Sequence, residues 1–215
     1  MTRRIALIHA VDVAIPPVHA AFAALWPEAR LMNLFDDSLS PDRAADATLT
    51  PRMSARIMAL ARYAAEAGSV GILFTCSAFG PAIEAAARAL HPLPVLKPNE
   101  AMFAAAGATG GTIGMLATFG PACASMEAEF AEAFTLPLRS LVVPDAMAAL
   151  RQGDGAKHDR LLAEAAVTMP WCDTVMLAHF STSRAEGSVR AVLPGVRVLT
   201  APGAAVLALR ARADR

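Results

Sequence analysis

Short apolar runs recur along the chain, each closed by polar residues or glycine and followed by a stretch with helical spacing. The pattern predicts buried strands over 4–10, from Gly71 to a Thr75-Cys76-Ser77 end, over 112–118, and over Cys172–Ala178. Weaker strands are expected at Leu31–Phe35, Pro94–Lys97, Leu138–Val143 and 196–200. Between them, helices are expected from Pro16-Pro17 to Trp26, from Thr50-Pro51 to Gly68, and from Gly80 to about Leu90. Further helices fall at 99–107, 121–134, 145–151, 157–168, 183–192 and from about Gly203 onward, whereas Asp36 to Thr48 reads as a loop or short helix. Strands alternating with helices imply parallel sheets covered on both faces. In such sheets ligands bind beyond the carboxyl ends of the strands. Those ends carry His9-Ala10, Cys76-Ser77, Ala117-Thr118 and His179-Phe180-Ser181.

The pattern repeats. Residues 72–76 fall on residues 175–179, and at the same offset of 103 Val95-Leu96 falls on Val198-Leu199 and Ala101 on Ala204. The opening strand, Ile5-Ala6-Leu7-Ile8, matches Ile113-Gly114-Met115-Leu116 at a slightly different offset. Three segments in one order imply two similar halves, with Cys76 and His179 at equivalent strand tips. The expected fold is therefore α/β: two pseudo-symmetric Rossmann-like lobes, each a short, mostly parallel sheet flanked by helices, with an active site in the cleft between them. Lobe 1 is expected over 1–100, completed by the helix 203–215, and lobe 2 over 101–202.

Composition narrows the function classes. A chain of 215 residues with 55% apolar residues can bury a substantial core. Net charge is zero without a basic cluster, so nucleic acid and anionic membranes are not expected partners. Cys76, Cys123 and Cys172 are scattered without disulfide or zinc spacing, which suits a reducing cytoplasm, and the five histidines show no metal spacing. The opening apolar run is too short for a secretory leader. The uncharged stretch 101–126 is interrupted by Gly107, Gly110, Gly111, Gly120 and Pro121, so it reads as helix end, turn, strand and turn rather than a membrane span.

The chemistry concentrates at the strand tips. Cys76 ends a strand just before a helix opening at Gly80-Pro81, where N–H groups and the helix dipole favour a thiolate or a bound carboxylate. His179, at the matched tip, has an ordinary pKa near 6.5 and is suited to a second acid or base. The same strand-end placement makes His9, Thr75, Ser77, Ala78, Thr118, Phe180 and Ser181 candidate substrate contacts. Thr118 also suits a helix cap, and a histidine after an apolar strand is commonly a packed side chain. Cys123 and Cys172 read as packing residues, Asp12, Asp36 and Asp37 as solvated loop positions, and His158-Asp159 as part of a helix start. The glycines at 107–111 precede their strand, which argues against a nucleotide loop, and no Gly-x-Ser-x-Gly elbow occurs.

Taken together, Thr75-Cys76-Ser77, the halved pattern, Leu116-Ala117-Thr118, Ile15-Pro16-Pro17, Leu49-Thr50-Pro51, Gly153-Asp154 with His158-Asp159, and Val175-Met176-Leu177-Ala178 resemble the aspartate/glutamate/hydantoin racemase superfamily. The resemblance implies a two-lobed, cofactor-independent enzyme acting on a small carboxylate, with a cysteine from each lobe as acid and base, and a homodimer as the family's assembly. It carries the first cysteine to Cys76 and puts His179 where the second belongs. The usual Thr-Cys-Asn-Thr loop is Thr75-Cys76-Ser77-Ala78 here, without its amide. Because the superfamily also includes maleate isomerases and single-cysteine decarboxylases of aryl malonates, three activities follow as expectations. The first is a racemase or isomerase with Cys76 and His179 as proton carriers. The second is a lyase in which Cys76 protonates a carbanion on one face. The third is a carboxylate-binding protein without turnover.

Overall fold

The computed structural model describes residues 3–46 and 48–214, less the side chains of Pro121 and Ala122. The expected opening at Met1-Thr2, Ala47 in the polar stretch and Arg215 at the end of the closing helix lie outside the described residues. In chain order the elements are β1 (Arg4–His9), α1 (Ile15–Leu25), β2 (Arg30–Phe35), α2 (Leu39–Ala45), α3 (Pro51–Glu66), β3 (Gly71–Phe74), α4 (Gly80–Ala89) and β4 (Val95–Leu96). There follow α5 (Glu100–Thr109), β5 (Ile113–Ala117), α6 (Gly120–Ala133), β6 (Leu138–Val142), α7 (Ala146–Arg151), α8 (Gly155–Ala166), β7 (Thr174–Leu177), α9 (Glu186–Val192), β8 (Arg197–Thr200) and α10 (Ala201–Ala213). The chain divides into two compact units, one running to Glu100 and resuming at Ala205, the other spanning Ala101–Ala204.

Each unit holds one parallel four-stranded sheet, in the order β2-β1-β3-β4 and β6-β5-β7-β8 respectively. The duplication extends to register. Ile5 pairs with Gly71 and Ile8 with Phe74 in the first sheet; Ile113 pairs with Thr174 and Leu116 with Leu177 in the second. Likewise Ile72 faces Val95, and Val175 faces Val198. Both central strands are buried along their whole length, as expected of strands covered on both faces.

Local chemistry sets the helices that cover them. Proline occupies the first helical positions of α1, α3, α4 and α6, where a missing N–H costs nothing. Thr50 caps α3 by accepting the Met53 N–H, and Asp154 caps α8 by accepting the Lys157 N–H. In the first unit Ile57, Ala61 and Ala64 of α3 and Ile83 and Ala86 of α4 pack on Ala6, Ile8, Ile72 and Phe74. In the second, Leu162 and Ala166 of α8 and Val189 of α9 pack on Leu116, Val175 and Leu177. Gly71 admits α10 to the first sheet: a Cβ there would lie 3.0 Å from Leu209 Cδ1 and 3.3 Å from Ile5 Cδ1.

Three expectations need adjustment. β4 is two residues long rather than four, and β7 begins at Thr174, leaving Cys172 outside it. The polar stretch after β2 contains a short helix, α2, one of the two forms expected of it. Cys76 and His179 are each followed by a 3-10 turn, Ser77–Phe79 and Ser181–Ala185, before the α-helix proper. Among the described residues no helix is long and apolar enough to cross a membrane.

Candidate active site

Cys76 follows β3 in extended conformation and leads into the 3-10 turn Ser77–Phe79 and then α4. The Thr75 N–H donates to the Ile8 carbonyl, a ladder bond that carries the strand geometry to the residue before the thiol. Burial pushes the Cys76 thiol up, opposed by the Ala78 N–H, which donates to the sulfur, and by the charge of Arg43. This corrects the expectation of a thiolate favoured by the helix end. Desolvation outweighs both opposing effects, and the resting group is the thiol.

Beneath it sits a hydrogen-bonded chain. His9, fully buried at the end of β1, places Nδ1 2.9 Å from Thr75 Oγ1 and Nε2 3.0 Å from Asn33 Oδ1. His19 Nε2 lies 2.8 Å from the same oxygen. An amide oxygen only accepts, so both Nε2 atoms carry hydrogen, and the Thr75 hydroxyl shares its one hydrogen between His9 Nδ1 and the Ile8 carbonyl, 3.3 Å away. Burial lowers the His9 pKa; the Asn33 bond opposes that, and nearby His19 adds to it. His9 is therefore a buried, neutral support for Thr75, with both nitrogens engaged. Ser77 is half-buried and Ala78 exposed on the turn beyond.

In the second unit the Ala178 N–H donates to the Leu116 carbonyl, the counterpart of the Thr75 bond, and His179 comes next. Here the backbone diverges, for His179 has φ of 71°, a conformation that costs a non-glycine residue roughly 1–2 kcal/mol. Thr182 holds the turn by donating to the Ala178 carbonyl and lying 2.9 Å from that of His179. His179 Nε2 is buried without a partner, and burial lowers the ring pKa to about 4. The ring is thus neutral at pH 7, below the near-neutral titration its sequence suggests. Thr118, after the adjacent strand β5, also has a buried, unpartnered Oγ1. It does not cap α6, whose N-cap is Phe119 without a side-chain bond. Phe180 and Ser181 are buried within the second unit.

The other candidates separate cleanly. Cys172 is buried with its sulfur bonded to the Met169 carbonyl, and Cys123 is buried near Ser140; burial raises both pKa values. Asp36 is bound by Ser38 and by Arg56, whose Nη2 lies 2.7 Å from its carboxylate. His158 is fully buried with Nδ1 2.8 Å from Asp159, which also accepts from Arg184. Sequence reasoning missed Asn33 and Arg43. Arg43 had a readable signal: it is the lone cation in the polar stretch that follows a strand's carboxyl end. Asn33, inside a weak strand, had none.

The family model for Asp/Glu/hydantoin racemases matches residues 15–209, and the chain belongs to that family. No curated protein sequence matches it significantly. Among solved structures, the aspartate racemase of Picrophilus torridus superposes with a TM-score of 0.72 at 13% identity, covering 99% of this chain and 94% of that one. The glutamate racemase of Thermus thermophilus, solved with β-chloro-D-alanine, gives 0.71 at 16% identity, covering 99% and 81%. An arylmalonate decarboxylase gives 0.65 at 20% identity, covering 98% and 92%. At these identities the likeness shows the fold: two parallel four-stranded sheets flanked by helices. With the family, it makes the protein an enzyme of the racemase superfamily.

Proposed function

We propose that the protein is a cytoplasmic racemase or isomerase of a small carboxylic acid, working without a cofactor by proton transfer at the α carbon. The observation that supports it most is the matched pair of strand tips, one ending in a thiol and the other in a neutral imidazole. In one direction His179 takes the α proton, and the C–H electron pair passes into an enediolate. The Cys76 S–H then delivers its proton to the other face of the carbon, leaving thiolate and imidazolium. The reverse turnover returns both protons. Each carrier must come within about 3–3.5 Å of the carbon. Thr118 and the N–H groups after the two tips are proposed to hold the carboxylate as its charge develops. A panel of single-enantiomer amino acids and hydroxy acids, followed by chiral chromatography, tests the reading. Conversion of at least one member to its mirror image is expected, and none interconverting rejects it.

A second reading is supported by the same asymmetry, since only one tip carries a thiol. In it an aryl malonate loses carbon dioxide, its C–C electron pair becomes the enediolate, and Cys76 alone protonates it on one face. Carbon dioxide release with a single-enantiomer product would select this reading over racemisation.

A further inference from the structure

The thiol stands in a loop that one side chain grips from outside. Arg43 lies on α2, the short helix after β2. That helix is itself anchored: Leu39 is buried, and Arg56 of α3 reaches Asp36, just before the helix, and Asp42 within it. From this platform Arg43 donates through Nε to the Ala78 carbonyl at 3.2 Å and through an Nη to the Asp46 carbonyl at 2.8 Å. Ala78 is the residue whose own N–H serves the Cys76 sulfur. One residue is thus held at its carbonyl by a guanidinium and gives its N–H to the thiol. Both acceptors of Arg43 are uncharged oxygens, so these bonds leave its formal charge in place. Arg43 and Cys76 belong to elements of the same unit.

We infer that Arg43 is the positioning residue of the Cys76 loop: it fixes the turn that presents the Ala78 N–H to the sulfur and sets a positive charge beside it. A half-buried, partly desolvated thiol that must pass through its thiolate in every turnover needs such help. The charge favours the anion, and the rigid planar fork holds its two carbonyls in one fixed geometry, which an ammonium's rotatable donors would not impose. The charge of Arg43 acts on the sulfur, and its effect is screened where solvent enters. The inference deepens the proton-transfer reading, yet its test needs no substrate.

The test is the pH dependence of Cys76 alkylation by iodoacetamide in the full-length protein, read on the Cys76 peptide by mass spectrometry. Cys123 and Cys172 serve as buried internal references. Arg43→Gln should move the Cys76 midpoint upward and slow alkylation at pH 7.5 by about three- to tenfold, a one-unit shift being tenfold. Arg43→Lys, which keeps charge and loses the fork, should fall between Arg43→Gln and the parent. Added salt should slow the parent toward the Arg43→Gln rate and leave that variant unchanged. An Arg43→Gln titration that overlays the parent overturns the inference, whatever happens to turnover. If the midpoint moves while the parent interconverts no carboxylate, Arg43 keeps its role and the proposed reaction falls instead.

Discussion

The two strand tips of this protein share a scaffold and differ in what they hold. In both, a ladder bond from the penultimate residue to the neighbouring strand fixes the next position: Thr75 to Ile8 before Cys76, Ala178 to Leu116 before His179. Past that bond the chain takes opposite courses. Cys76 continues extended, receives an N–H at its sulfur and stands on a satisfied His9–Asn33–His19 chain. His179 turns into the left-handed region and buries a ring nitrogen without a partner. The first tip is a supported group, the second a strained and unsatisfied one. Unpaired buried polar atoms cost about 1–3 kcal/mol each, and such costs concentrate where a ligand relieves them.

Substitutions at matched positions sharpen this contrast. His179→Gln should lower turnover by about 10²–10⁴, the usual worth of a general acid or base, with melting temperature kept or raised. A variant with full activity would reduce His179 to packing. Leu73→Ala and Met176→Ala remove equivalent, fully buried side chains from the two central strands, and each should cost about 2–5 kcal/mol in denaturant melts. Widely unequal costs would show that the shared topology hides unequal cores.

Acid should separate the tips next. The His179 pKa is about 4 in the fold and near 6.5 in the unfolded chain, so between these values the unfolded state binds more protons. Stability is thus intact above about pH 6.5 and lost as pH falls toward 4, by up to about 3 kcal/mol. Melts from pH 7 to 4 should show a shallower loss in His179→Gln than in the parent. The smallest expected effect is at the matched caps, where Thr50→Ala and Asp154→Ala should each cost about 1 kcal/mol.

Much of this was legible beforehand. Strand runs, helix starts at proline and the two-lobed α/β class follow from period and punctuation, which are local properties. The repeat was visible because residues 72–76 and 175–179 occupy one register in their sheets. What escaped depends on tertiary surroundings. The 3-10 turns after Cys76 and His179 have no distinct periodicity at three to five residues. The raised thiol and lowered imidazole pKa values come from desolvation, which no spacing reveals. His9 was recognisable as a strand-end histidine, but its inward role depends on Asn33, which lies on a different strand.

The central claim is that the thiol at the first tip carries the α proton. Its most direct test is deuterium uptake at the α carbon when a single enantiomer of the converted acid is incubated in deuterated water with the parent or with Cys76→Ala. The account predicts label in the product formed by the parent and a loss of at least a thousandfold in its formation by the variant. Labelled product forming at the parent's rate in Cys76→Ala would contradict it.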